Sequence, residues 1–323
     1  MNFRTELHIP ENTHKITLQT PILTLGSCFA EVMGGRFKAN KIPTLANPFG
    51  TVFNPISMAK LLTQAIENQV PDPQLYIENQ GVWFHYDFHS SLWADSREAL
   101  EVILLQKISE VHQWLQKTKF LMITFGTAFM YRHLETQQIV ANCHKIPASS
   151  FQRTLLDTAT IVDTFQDLQN LLTAHYDLQT ILTVSPVRHT RDTLPLNAVS
   201  KSILRVACHE LNQNTSIHYF PAYEILLDDL RDYRFYQPDL IHPTEVAETY
   251  IFDKFSNAYF DETLKAFIIE WHKLQKALNH VPLQTHSVAH QAFLKNLFAK
   301  LEQMAHKVDM GYEIDSLKSR INA

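Results

Sequence analysis

Four short apolar runs frame this chain. They are Pro21–Leu25, Phe120–Phe125, Thr180–Val184 and Ile217–Phe220, and segments of helical length separate them. Strands alternating with helices require crossover connections, which predicts a parallel sheet covered on both faces. The helices are expected over 29–41, 55–68, 96–117, 157–175 and 197–213. The first carries Phe29, Val32, Met33 and Phe37 near helical spacing. Asn54 is placed to cap the second, with Pro55 at its first position. Residues 75–93 are aromatic and polar and suit short strands or a hairpin. Residues 129–153 read as irregular, and 231–243 as a loop. From Thr244 onward the pattern is helical, with breaks near Phe260 and at 280–287. The chain therefore divides into an α/β domain, 1–257, and a helical C-terminal extension, 258–323. Leu264, Phe267, Ile268 and Trp271 form one apolar stripe on the extension, and Phe293, Leu297 and Leu301 form another. These stripes either pack on the α/β domain or form a homo-oligomer contact.

Charge narrows the partners. With 28 basic and 33 acidic residues the net charge is −5, so no basic footprint for nucleic acid is present. No apolar run nears the ~18 residues of a membrane span. The opening MNFRTELHIPENTHK lacks the apolar core of a secretory leader. Cys28, Cys143 and Cys208 match neither a disulfide framework nor zinc-ligand spacing. A cytoplasmic protein is expected, with no bound metal or cofactor and no membrane partner. Glycine is scarce, 7 in 323 residues, so each one carries weight. Gly26 and Gly126 each end a strand. Gly34-Gly35 inside the first helix costs about 1 kcal/mol per residue relative to alanine, which close packing on the sheet would offset.

Several residues could carry chemistry. Open α/β sheets bind ligands beyond the carboxyl ends of their strands. Ser27 falls there, at the start of a helix, where its amide could support an oxyanion or its side chain could simply cap the helix. Asp239 and His242 sit three apart on a loop. That spacing can supply a base and the carboxylate that orients it, or a local turn. His85, Asp87 and His89 alternate, and on a strand they would share one face for metal or substrate, or form a polar face. Arg188 and His189 follow a strand end, placed for substrate contact or a structural bond. Ser200-Lys201 lies within a helix, where adjacent side chains diverge, so a serine–lysine dyad is disfavoured. Cys143 and Cys208 read as small buried hydrophobes.

The stretch Gly26-Ser27-Cys28-Phe29-Ala30 spells the motif of the GSCFA family, and the chain resembles that family well beyond it. Asn47–Pro55, Phe84–Ser90, Phe125–Ala128, Asn142–Lys145, Ser185–His189 and Asp239–Pro243 resemble its blocks in order, over about residues 20–250. The family is itself placed with the SGNH (GDSL-like) hydrolases. The resemblance implies a flavodoxin-like three-layer sandwich with about five parallel strands. It also implies Ser27 as nucleophile, His242 as base and Asp239 as the orienting acid. An SGNH oxyanion hole combines the serine amide, a glycine amide and an asparagine side chain. Here Gly50 is the glycine candidate. The asparagine is missing, because Gly126 is followed by Thr127-Ala128, which leaves Thr127, Asn47 or Asn54 to substitute. Losing one such donor costs about 10²–10³ in rate. The usual Gly-Asp-Ser is also altered. Laid directly over Gly26-Ser27-Cys28, it puts Cys28 at the nucleophile position, whereas the family naming favours Ser27. A thiol at a helix N-terminus is chemically competent too.

The implied activity is a serine esterase that removes a small acyl group, such as acetyl, from a carbohydrate, with His85, His89, Arg188 and His189 contacting substrate. Acyl transfer by the same residues is one alternative. A non-catalytic carbohydrate- or ligand-binding protein is another.

Overall fold

The computed structural model describes residues 4–280 and 287–321. The chain begins with β1 (Ile22–Gly26), α1 (Cys28–Ala39), β2 (Thr44–Ala46) and α2 (Pro55–Ile66). A hairpin follows, β3 (Tyr76–Asn79) and β4 (Val82–His85), and then α3 (Arg97–Leu115) and β5 (Phe120–Phe125). Next come β6 (Phe129–His133), β7 (Ile139–Val140), β8 (Phe151–Leu155), α4 (Thr158–His175) and β9 (Gln179–Val184). The remainder is α5 (Leu194–Leu211), β10 (Ile217–Tyr219), the short α6 (Ala222–Glu224), α7 (Glu245–Tyr259), α8 (Glu262–Leu278), α9 (Val288–Ala305) and α10 (Gly311–Ile321).

The central sheet runs β10-β9-β5-β1-β2, with every pair parallel. Its side chains alternate between two cores, as the pleat dictates. Leu23, Leu25, Leu121, Ile123, Phe125, Leu182 and Val184 face the layer of α2, α3, α4 and α5. Ile22, Phe120, Met122 and Ile181 face α1, α7 and the C-terminal helices. The expected α/β architecture with a five-stranded parallel sheet is what the chain adopts.

The strand ends are packed tightly where they matter. Gly26 has φ +138°, and a Cβ there would lie 2.3 Å from the Thr124 carbonyl oxygen on β5. Gly26→Ala is therefore expected to cost about 3 kcal/mol or more, from backbone strain plus overpacking. Denaturant unfolding checks this, and wild-type stability would show that β1 and β5 can part freely. The glycine pair in α1 divides. A Cβ at Gly34 would meet the Ala46 Cβ at 2.5 Å, so close packing on the sheet accounts for it, but at Gly35 the space is open.

Two expectations are corrected. Residues 129–153 are not irregular: β6 pairs with both β7 and β8 in a small antiparallel sheet. Its strands are short and half-exposed, so the chain there has neither the continuous apolar run nor the strict alternation that marks a strand. His85, Asp87 and His89 do not share a strand face either, because β4 ends at His85.

The C-terminal helices belong to the same apolar cluster as α1 and α7. Trp271 Nε1 donates to the Ala39 carbonyl at 2.7 Å, and Lys41 pairs with Glu313 at 2.7 Å. Leu264, Phe267, Trp271, Leu297 and Leu301 are buried, so the stripes are used within the chain. Part of the break expected at 280–287 lies outside the described residues. Among the described residues no helix is long and apolar enough to cross a membrane.

Candidate active site

The carboxyl ends of β1, β5 and β9 open onto a pocket of about 240 Å³. Ser27 and Cys28 enter it from the β1–α1 turn, Thr51 and Phe53 from the loop after β2, and His89 from the loop after β4. Gly126 and Ser185 form its strand-end wall, Val187, Arg188 and His189 follow β9, and Ile241 and His242 close it from the loop before α7. Of the residues singled out from sequence, Ser27, Cys28, His242, His89, Arg188 and His189 thus meet at one place.

The His242 loop is a built structure. Asp239 Oδ2 lies 2.7 Å from His242 Nδ1, and Oδ1 accepts the amides of Ile241 at 2.8 Å and His242 at 3.0 Å. Those bonds, the His242 side chain first, hold the Asp239 carboxyl down at about 2. The carboxylate and its bonds therefore persist above the usual acid range and are lost only as pH falls through about 2. With Nδ1 taken by Asp239, the other ring nitrogen, Nε2, is left to exchange protons with a ligand. Arg188 braces this loop. Its amide donates to the Ile241 carbonyl at 3.2 Å, and its guanidinium lies 4.1 Å from the centre of the Tyr236 ring. His189 donates its amide to Asn197 Oδ1 at 2.8 Å and meets Phe53 edge-on.

The donors expected around the oxyanion are mostly committed elsewhere. The Ser27 amide continues the sheet ladder to the Thr124 carbonyl at 3.1 Å. The Gly50 amide closes a turn on the Asn47 carbonyl at 2.8 Å. Gly50 (φ +73°) instead lets the backbone approach His89, whose Cβ a side chain at 50 would strike. The Thr127 amide donates to the Phe53 carbonyl at 3.0 Å, and its hydroxyl bonds Ser200 and receives the Phe129 amide. The Asn47 side chain brackets Gly26, donating to its carbonyl and accepting from its amide. The Asn54 side chain caps α2 through the Ser57 amide at 2.9 Å, as read from the sequence. What remains is the start of α1, at the positive end of the helix dipole, where the Ala30 amide already meets the Ser27 carbonyl at 2.8 Å and the Cys28 and Phe29 amides face the Cys28 sulfur.

Ser27 and Cys28 differ sharply within that turn. Ser27 is the N-cap residue of α1 but makes no side-chain cap bond, and its Oγ is buried with no partner among the described residues. Cys28 is the first helical residue and only partly buried. Burial pushes its thiol up, while the Lys201 charge and the Phe29 and Cys28 amides pull it down.

His85 is corrected as a substrate contact. It is fully buried, with Nε2 3.1 Å from the Asp72 carbonyl and Nδ1 accepting the Asp87 amide. Burial drives it down to about 3, so it is a neutral structural ring. Asp87 is likewise buried and bound to Lys60 at 2.7 Å. Among the described residues no cluster of histidine, cysteine or carboxylate side chains is arranged to hold a metal.

Lys201 is the site residue that sequence reasoning passed over. It is 1% exposed, and its Nζ donates to the Gly126 and Ser185 carbonyls, both at 2.8 Å. Ser200 bonds a different group, accepting the Ala128 amide at 2.8 Å, so the two form no dyad. A signal was present: Asn197, Ser200, Lys201, Leu204, Ala207, Cys208 and Leu211 form the buried stripe of α5, and a lysine on that stripe is anomalous. Burial pushes the amine down to about 7, with Cys28 acting in the opposite sense. Between about 7 and about 9 the unfolded chain thus carries a proton that the folded chain lacks, so stability should rise with pH through that window. Above it, the thiols raised by burial act in the opposite direction. Urea midpoints measured across the window check this, and Lys201→Met is expected to flatten the rise.

The GSCFA family pattern matches residues 21–255, and the C-terminal domain pattern of GSCFA domain proteins matches residues 271–323. The chain belongs to the GSCFA family. No curated protein matches it.

Proposed function

We propose that this protein is an acyl-ester hydrolase of the SGNH kind that removes a small acyl group from a carbohydrate hydroxyl, with Cys28 as the attacking group. The observation that carries this reading is the shared pocket of Cys28 and the Asp239-held His242. A nucleophile must be within reach of a base whose other nitrogen is fixed by a third group. The choice of Cys28 over Ser27 rests on the amides. The Ser27 amide is spent on the Thr124 carbonyl and its hydroxyl is buried, whereas Cys28 begins α1 at the positive end of the helix dipole, where an oxyanion is favoured.

The chemistry follows from these positions. Because burial keeps the resting thiol protonated, His242 Nε2 takes the Sγ proton as sulfur attacks the ester carbonyl. Collapse of the tetrahedral species forms a thioester on Cys28 and returns the proton to the leaving alcohol. His242 then takes a proton from an attacking water, the C–S bond breaks to release the acid, and that proton returns from His242 to the Cys28 sulfur. The small pocket with its Phe53 and Val187 walls suits a short acyl group. An acyl acceptor other than water would turn the same steps into transfer.

A binding role without turnover has one observation in its favour, the commitment of the expected oxyanion donors to backbone partners. Hydrolysis of acetylated sugars by purified protein decides between the two. Turnover abolished by His242→Ala supports the hydrolase, and saturable binding with no turnover supports the binding protein.

A further inference from the structure

Two histidines of the pocket, His242 and His89, spend Nδ1 in opposite ways. His242 gives its Nδ1 to Asp239, which leaves Nε2 as a lone pair for proton transfer. His89 is set the other way. The Ser91 amide lies 3.2 Å from its Nδ1, and an N–H can only donate, so this nitrogen must accept. The Ser91 hydroxyl lies 3.0 Å from the same atom. A neutral ring that accepts at Nδ1 carries its proton on Nε2. Burial holds the ring below its usual range and so keeps it neutral. Its Nε2–H has no partner among the described residues. The backbone fixes the ring in place. The His89 amide donates to the Phe49 carbonyl at 3.2 Å, and its carbonyl accepts the Leu92 amide at 2.9 Å. A Cβ at Gly50 would lie 2.3 Å from the His89 Cβ and 3.1 Å from Nδ1. The Nδ1 edge is thus seated on Gly50 and Ser91, and Nε2 is the polar atom left to the pocket that His89 lines with Cys28.

We propose that His89 is a catalytic residue whose Nε2–H donates to the oxyanion formed when the Cys28 sulfur adds to the ester carbonyl, supplying the side-chain donor that Gly126-Thr127-Ala128 does not. This rests on the reading of the protein as an ester hydrolase with Cys28 as nucleophile. As sulfur adds, the carbonyl π electrons move onto oxygen, and the bond from Nε2–H strengthens as that charge grows. No proton leaves His89. A neutral imidazole suits the task, because it offers a donor without acting as a second base. The other candidates are occupied: the Ser27, Gly50 and Thr127 amides each meet a carbonyl, and the Thr127 hydroxyl is bound to Ser200 and the Phe129 amide. At about 240 Å³ the pocket is small, so an acyl group on Cys28 lies close to every wall, the His89 wall included. Glycine at 50 then serves by seating His89 rather than by lending its amide.

Wild type, His89→Phe and His89→Gln are compared on an acetylated sugar. Phenylalanine keeps a ring without the donor, and glutamine returns an N–H close to the place of Nε2. An oxyanion contact acts in the transition state, so His89→Phe is expected to lower kcat about 10²–10³-fold with KM within about threefold, and His89→Gln to recover most of that loss. Turnover by folded His89→Phe at the wild-type kcat overturns the proposal and leaves the hydrolase reading intact, as does an equal loss in both variants. No turnover by wild type removes that reading and this proposal with it. If the variants do not fold, the wild-type protein answers by NMR of nitrogen-labelled histidine, with trifluoroacetone as a ketone that adds to a thiol to give a tetrahedral oxyanion. The His89 proton is expected on Nε2, with its signal moving downfield as the Cys28 adduct forms. A proton on Nδ1, or an unmoved Nε2–H while fluorine NMR shows the adduct, overturns the proposal. Failure to form any adduct removes Cys28 as the nucleophile, and the proposal falls with it.

Discussion

Cys28→Ala is expected to lower kcat/KM on a small acyl ester by about 10³-fold or more, while Ser27→Ala stays within about tenfold of wild type. The asymmetry follows from what each residue already does. Removing the Cys28 sulfur removes the group that forms the covalent intermediate, and only binding and oxyanion contacts then remain. Removing the Ser27 hydroxyl takes away a buried oxygen that bonds to no group among the described residues and makes no side-chain cap bond. Deleting such an unsatisfied group is neutral to mildly stabilising, on the order of 1 kcal/mol. Thermal unfolding of both variants separates chemistry from folding. Cys28→Ser is the informative third variant, since a hydroxyl in the same place keeps the geometry but needs more help to lose its proton.

Asp239→Asn is expected to cost about 10⁴-fold in kcat with little change in stability. Asp239 fixes the tautomer of His242 through the 2.7 Å bond to Nδ1. An asparagine amide presented there favours the wrong tautomer and cannot support the imidazolium. Both side chains are more than 40% exposed, so their replacement disturbs little packing. His242→Ala should lose activity to a similar degree. The acid limb of the pH–rate profile should not come from Asp239, because its carboxyl is held at about 2. A profile that loses activity in step with an ordinary carboxylate would contradict that assignment.

Strands β1, β5 and β9 were legible because each is buried on both faces and so appears as an uninterrupted apolar run, as in Phe120–Phe125, whereas the three half-buried residues of β2 gave no such run. The helix start at Asn54 was legible because capping is local chemistry. The β6–β8 sheet was not, because its pairing is long-range in sequence and its faces are half-wet. The membership of the site was readable in outline, since motif residues at strand ends converge by topology alone. What motif spacing could not show is which amides are already spent. The Gly50, Thr127 and Ser27 amides each satisfy a neighbouring carbonyl, and only folded geometry reveals that. His85 misled for a related reason. The same alternation that suggests a ligand face also fits a histidine buried to hold the hairpin to its neighbours, here through its ring bond to Asp72 and its own carbonyl's contact with His144.

The central claim is that the acyl group passes through Cys28. Rapid quench of the wild-type protein with an activated acetyl ester, followed by peptide mass spectrometry, tests it directly. The account predicts one acetyl group on Cys28, released by neutral hydroxylamine as a thioester is, and absent in Cys28→Ala. An acetyl group on Ser27 that resists neutral hydroxylamine and survives in Cys28→Ala would contradict it.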